Sequence, residues 1–249
     1  MAKPLRRLPL QAMYNVRDIG GYATADGGIT RFGRLFRADS PTNLPDEDIE
    51  TILAAGVRTV IDLRASDELA RSPCSLEFAE GIVYHSISLM GNGDALRTHM
   101  GLSAQDSFVN SLTTLYASMV DVNPDRFVKV FQIMADSFQH GAVLFNCTAG
   151  KDRTGIIAAM TLLLCGVSKF DVVADYSISE ILLEPRVRHW AKSTDAMVSP
   201  NVFRSEADTI RQFLAHLEEQ HGGVEKFLLD NGMDAAALHS IVEQLVDRE

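Results

Sequence analysis

One stretch of the sequence puts a nucleophile, a cation and flexible backbone in register: Asn146-Cys147-Thr148-Ala149-Gly150-Lys151-Asp152-Arg153-Thr154-Gly155. A short uncharged run, Ala142 to Phe145, leads into it, and a long apolar segment to Cys165 follows. Strand, glycine-containing loop and helix is a geometry that binds phosphate. Unpaired amides at the helix start point at one spot, and the helix dipole favours negative charge there. The same amides and dipole stabilise a thiolate at Cys147. Arg153, on the first turn of the expected helix, presents a planar fork to two oxygens of a phosphoryl group. Thr154 offers a hydroxyl to the cysteine sulfur. The expected phosphate cradle is Thr148, Ala149, Gly150, Lys151, Asp152 and Arg153. A thiolate, a cradle for three oxygens and a fixed cation are what cysteine-based phosphoryl transfer requires.

A nucleotide-binding loop is excluded. Gly150-Lys151 is preceded at the fifth position by Phe145 rather than Gly, and followed by Asp152 rather than Ser or Thr. The phosphates and Mg²⁺ of a nucleotide would lose their ligands.

The elements that must position this loop are legible in outline. Asp26-Gly27 marks a hairpin, and Leu35-Phe36-Arg37 a strand end. Pro45-Asp46-Glu47-Asp48 opens a helix that Gly56 stops. Val57 to Leu63 and Ile82 to Leu89 read as strands. Gly91 to Gly101 reads as a polar, mobile loop. Ser107 to Val120 and Pro124 to Phe138 read as helices, the second with Asn123 as N-cap. Ala142 to Phe145 suits a buried central strand. Beyond Cys165 the chain reads as helical, with Ser205-Glu206-Ala207-Asp208 as a capping box and Gly222-Gly223 as a stop. The expected fold class is α/β, with a central, mostly parallel sheet flanked by helices and a helical C-terminal cap. No linker or repeat divides the sequence, so residues 1–249 are expected to form a single domain.

Composition narrows the function. Net charge is −10, with 46% apolar and 22% charged residues. Such a chain is globular, and its negative charge argues against nucleic-acid partners. Three cysteines, Cys74, Cys147 and Cys165, make no disulfide framework. The N-terminal apolar stretch is broken by Pro9 and Gln11, and the longest apolar run, Gly155 to Val167, is too short for a bilayer. A cytoplasmic chain without integral membrane contact is expected. The histidines, His85, His99, His140, His189, His216, His221 and His239, show no metal spacing, and none is assigned.

Cys-x5-Arg-Thr resembles the signature of the protein tyrosine phosphatase superfamily. The fuller string from Cys147 to Gly155 is similar to that of the atypical microbial tyrosine and phosphoinositide phosphatases. Asn15 to Gly21, Leu35 to Ser40, Val60 to Arg64 and Val173 to Tyr176 match that group in type and order, so the resemblance runs from about Tyr14 to Gly232. It implies a cysteine-phosphatase fold and hydrolysis of phosphate monoesters through a phosphocysteine, with no metal or cofactor. The implied partners are phosphorylated proteins, at tyrosine and also serine or threonine, or phosphoinositides. Lys151 is the residue linked there with a broad substrate range.

Two points depart from the common pattern. The usual histidine before the cysteine is Asn146, which can hydrogen-bond but cannot carry positive charge. This is the motif-level support for an alternative, a phosphate-binding pseudophosphatase of weak or no turnover. The Trp-Pro-Asp string that carries the leaving-group acid elsewhere is absent, since the one tryptophan, Trp190, precedes Ala191. The resemblance favours Asp62, at a strand end, as that acid; Asp152, Asp94 and Asp106 are the other candidates. A rhodanese-like or arsenate-reducing enzyme also uses a cysteine loop, but does not predict Lys-Asp-Arg-Thr-Gly.

Overall fold

Every residue of the run Ala142–Asn146 is buried, and it becomes the middle strand of a five-stranded sheet. The computed structural model describes residues 6–103, 112–193 and 204–248. In chain order it begins with β1 (Arg17–Asp18), β2 (Ile29–Thr30), β3 (Leu35–Ala38), α1 (Asp46–Ala54), β4 (Val57–Asp62), α2 (Ser66–Arg71) and β5 (Val83–Ser86). Three helices, α3 (Gly93–His99), α4 (Leu112–Val122) and α5 (Pro124–Ser137), precede β6 (Ala142–Asn146). Then follow α6 (Asp152–Leu164), α7 (Lys169–Ser193), α8 (Ala207–His221), α9 (Val224–Asp230), α10 (Ala235–Leu245) and β7 (Val246–Asp247).

The sheet order is β1-β3-β6-β4-β5, parallel throughout except for the antiparallel edge pair β1 and β3. Successive side chains on a strand face opposite ways, and here both faces are covered. Leu35, Ile61, Val143 and Phe145 enter a large core with residues of α5, α6 and α8. Phe36, Val60 and Leu144 enter a smaller one closed by Ile52 of α1. The mostly parallel sheet flanked by helices is therefore as expected. Ala38, Asn146 and Asp62 stand side by side in register, so the segments leaving β3, β6 and β4 emerge together at one edge. Among the described residues no helix is long and apolar enough to cross a membrane.

Several local expectations are corrected. The stretch read as a mobile loop contains α3, because the Asn92 side chain accepts the amides of Asp94 and Ala95 at 3.0 and 3.4 Å. The helix expected from Ser107 is observed from Leu112; its first expected residues lie outside the described ones. Asn123 takes the cap position of α5, but its amide is turned toward the carbonyls of Leu89 and Met90. The expected capping box at Ser205 does not form. Glu206 sits at the cap of α8 without a side-chain bond, and Ser205 Oγ is buried with no partner among the described residues. After α10 the chain turns extended, and β7 pairs with β2.

A buried ion cluster ties α7 to the sheet. Asp175 accepts from Arg17 Nε at 3.0 Å and pairs with Arg37 Nη1, while its carbonyl takes Arg17 Nη2 at 2.6 Å. Burial works against both charges. It lowers the Arg17 guanidinium to about 10, with the neighbouring Arg37 adding to the effect. The two arginines nevertheless outweigh burial at Asp175 and hold its carboxyl well below the usual carboxylate range. Replacing Asp175 by Ala strands two buried guanidiniums and should cost about 3–5 kcal/mol at pH 7. The carboxylate's contribution is present above its unfolded value, ~4, and is lost as pH falls through that value toward the folded one. Urea unfolding of wild type and Asp175→Ala should therefore differ most near neutral pH, the gap shrinking below about pH 4. A gap independent of pH would show that the charge is not its source.

Candidate active site

Between β6 and α6 the backbone turns sharply, and its hydrogen bonds divide in a regular way. Every carbonyl from Thr148 to Gly150 is tied down. Thr148 O accepts from Arg186 Nη1 at 2.8 Å and from the Ser40 amide at 3.3 Å. Ala149 O accepts from Asn15 Nδ2 at 3.0 Å. Gly150 O accepts from the same nitrogen at 3.0 Å and from Arg37 Nη2 at 2.8 Å. The amides of Thr148, Ala149 and Gly150 donate to nothing among the described residues. In a trans peptide the carbonyl and the next amide point opposite ways. Anchoring the carbonyls of 148, 149 and 150 on one side therefore aims the amides of Ala149, Gly150 and Lys151 to the other. Gly150 is required twice over: its φ is +64°, and a Cβ there would lie 2.5 Å from the Ala38 carbonyl.

The groups that hold the carbonyls are themselves fixed. Arg17 Nη1 donates to Asn15 Oδ1 at 2.5 Å, setting the orientation of that amide. Asp39 is buried beside β3 and accepts the amides of Tyr14 and Asn15 at 3.1 and 3.0 Å. Burial pushes the Asp39 carboxyl up, although those amides and Arg186, 3.5 Å away, oppose it.

Cys147 opens the loop and is 1% exposed. Arg153, on the first turn of α6, meets a residue that motif reading did not single out. Its Nη1 and Nη2 donate to Glu68 of α2 at 2.5 and 2.9 Å, and Thr148 Oγ1 bonds the same carboxylate. Burial disfavours the Arg153 charge, but the Glu68 bonds and the nearby Cys147 sulfur outweigh it and raise its pKa above the ordinary value. Burial likewise favours protonation of Glu68, yet Arg153 and Thr148 bring its carboxyl down to about 2. Glu68 is thus a clamp for the cation and stays charged. Arg153 Nε is left without a partner among the described residues, open to an incoming oxygen. Beside the loop lies a cleft of about 430 Å³, with Arg64, Glu68, Arg71, Thr148 and Arg186 in its wall.

The remaining expected residues separate into those near the cleft and those turned away. Asp152 is partly exposed; its Oδ1 accepts from Tyr116, whose hydroxyl also meets that of Tyr176 at 2.8 Å. Burial and then the Asp152 charge push the Tyr116 phenol well above its ordinary value, so it remains a proton donor. Asp152 Oδ2 has no hydrogen-bond partner among the described residues. Lys151 is buried, and its ammonium is directed at the Arg204 carbonyl (2.9 Å) and Asp152 Oδ1 (3.4 Å) rather than at the cleft. Thr154 Oγ1 and both polar atoms of Asn146 are buried without partners among the described residues, so the expected bond from Thr154 to sulfur is not made.

Asp62, the favoured acid, occupies a different position from the expected one. It is fully buried, and its oxygens are taken by Arg64 Nε (2.9 and 3.1 Å), Arg64 Nη2 (2.7 Å), the Arg64 amide (3.1 Å) and Tyr84 Oη (3.3 Å). A carboxylate so enclosed orients Arg64 in the cleft wall and has no route to a leaving group. Asp94 is exposed on α3, and Asp106 lies outside the described residues.

Asn15, Glu68 and Arg186 were not individually signalled by the sequence, since each acts across a long separation. The family model described as tyrosine phosphatase family matches residues 8–247. A tyrosine-protein phosphatase of Nostoc commune is 37% identical over 212 residues, 81% of this chain and 70% of that protein. The triple specificity protein phosphatase PtpB of Mycobacterium tuberculosis is 27% identical over 279 aligned positions, 94% of this chain and 96% of that one. With the match running over nearly the whole length, anchoring strands and cysteine loop alike, the chain belongs to the tyrosine phosphatase family.

Proposed function

We infer that the whole chain acts as one catalytic domain, hydrolysing phosphate monoesters through a phosphocysteine at Cys147. The observation that carries this reading is the loop's division of hydrogen bonds, three carbonyls anchored outward and the amides of Ala149 and Gly150 left for an anion, with Arg153 beside Cys147. In the first step the Cys147 thiolate forms an S–P bond while the ester P–O bond breaks. Asp152 gives the leaving oxygen its proton. Arg153 and the loop amides carry the charge of the equatorial oxygens. In the second step water attacks phosphorus, Asp152 takes its proton, and the S–P bond breaks to restore the thiolate, toward which Thr154 can turn its hydroxyl.

Asp152 replaces Asp62 in this role for a geometric reason. Tyr116 holds one oxygen of Asp152 and leaves the other available, whereas Asp62 is enclosed by Arg64. Phosphotyrosine is the leading substrate. Three cations in the cleft wall, Arg64, Arg71 and Arg186, support extension to phosphoserine, phosphothreonine and phosphoinositides, the last bearing additional anionic groups. The buried, unpaired cysteines agree with a reducing, cytoplasmic setting.

Two measurements test the reading. Cys147→Ser should lower kcat by roughly 10³-fold or more while vanadate-competable phosphate binding persists, because a hydroxyl keeps the shape but ionises poorly. Near-normal turnover in that variant would remove the phosphocysteine, and absence of turnover in the wild type would favour a pseudophosphatase. Asp152→Asn should slow phosphotyrosine hydrolysis by about 10²-fold, yet hardly affect an aryl phosphate with a strongly acidic phenol. Asp62→Asn should lower thermal stability without that leaving-group dependence. The opposite pattern would return the acid to Asp62.

A further inference from the structure

Histidines with no metal spacing along the chain come together in the fold, at the ends of α3, α4 and α8. Asp121 lies in the last turn of α4, His216 and His221 in the last turns of α8, and His99 ends α3. Asp121 Oδ1 is 2.9 Å from His216 Nε2 and 2.8 Å from His221 Nε2, and Oδ2 is 3.9 Å from His99 Nε2. Ligand atoms of Asp121, His216 and His221 all lie within 4.8 Å of one another.

The rings are held in these directions by other contacts. Ser118 Oγ engages His99 Nδ1 at 3.0 Å, which leaves Nε2 to face Asp121. His221 packs edge-on against Phe227, with centroids 5.1 Å apart, and against His216 at 5.7 Å. All four side chains are at least partly accessible, so an ion has a path in. Three helices end at this point, and their C-terminal carbonyls favour a cation.

We propose that Asp121, His216 and His221 form a zinc site with three protein ligands and a solvent molecule as the fourth. Imidazole nitrogens with one carboxylate oxygen suit Zn²⁺, whereas Mg²⁺ and Ca²⁺ take sets of oxygens. Bonds of ~2.0–2.1 Å in a tetrahedron place neighbouring donor atoms about 3.3 Å apart. The His216 and His221 contacts need to open by roughly half an ångström. Each imidazole binds zinc through the lone pair of Nε2, with its one remaining proton on Nδ1. The ion takes no part in phosphoryl transfer. It pins α4 and α8 together, and α4 carries Tyr116, which holds Asp152. Its role is to stiffen the wall behind the acid.

The test uses untagged full-length Cys147→Ser protein, so that neither a tag nor the loop thiol competes for metal. Titration with Zn²⁺ should show one equivalent bound at micromolar concentration or below, with a raised Tm. Co²⁺ should give the visible spectrum of a four-coordinate nitrogen and oxygen site. Asp121→Asn, which keeps the size and hydrogen-bonding of the side chain, should weaken binding at least about tenfold, as should His216→Ala. His239→Ala, an exposed histidine on α10, should leave it unchanged. Failure to bind one equivalent, or binding that survives Asp121→Asn, overturns the proposal and leaves a hydrogen-bonded cluster. If His216→Ala does not fold, Asp121→Asn decides alone. The readout is binding, so it stands or falls independently of the catalytic mechanism.

Discussion

Everything at the site depends on how three peptide carbonyls are restrained. A loop of unpaired amides around a thiol is unstable on its own, because like-oriented dipoles repel and the backbone can rotate to satisfy itself. Asn15, Arg37 and Arg186 prevent that rotation by holding the carbonyls of Thr148, Ala149 and Gly150 from behind. Two of these three donors belong to or touch the Arg17–Asp175–Arg37 cluster, so the same buried charges that tie α7 to the sheet also set the loop. An ion cluster of this kind contributes little net stability compared with apolar packing. Its return is orientation, which apolar side chains cannot give a carbonyl.

Four of the five carboxylates close to the loop, Asp39 aside, are separated by their surroundings rather than by their chemistry. Asp175 is locked between two arginines and serves as structure. Glu68 is held charged by Arg153 and keeps the fork in place. Asp62 is wrapped by Arg64 and positions a cation in the cleft wall. Asp152 alone has one oxygen fixed by a phenol that does not ionise and the other without a bond among the described residues. Proton transfer needs that combination of fixed direction and free lone pair.

What could be read from the sequence was whatever is local. The cysteine loop is contiguous, and its flanks switch cleanly from an uncharged strand to an apolar helix, so β6, α6, Cys147 and Arg153 stood out. α2 is too short for a periodic signal, and with it Glu68 was lost. α3 was hidden by its glycines, although Asn92 before Asp94 was a usable cap signal. Asp62 reads as an acid from its position at a strand end, which catalytic and structural carboxylates share, and only the partner, two residues on, separates them. Lys151 sits within the motif, yet its long side chain follows a carbonyl at Arg204, a contact across more than fifty residues. The histidine cluster draws on three helices, so no spacing rule could reveal it.

The account's central claim is that anchoring of the carbonyls, rather than the cysteine loop by itself, creates the anion site. Asn15→Ala removes the two bonds to Ala149 O and Gly150 O, together with the one from Arg17 Nη1 to Asn15 Oδ1, while leaving Cys147, Arg153 and Glu68 untouched. The direct measurement is the inhibition constant of vanadate for this variant against wild type, at a temperature where both are folded. Two lost hydrogen bonds of ordinary strength predict that the constant rises on the order of tenfold or more. An unchanged constant in a folded variant would contradict the account, showing that the loop holds its amides in place unaided.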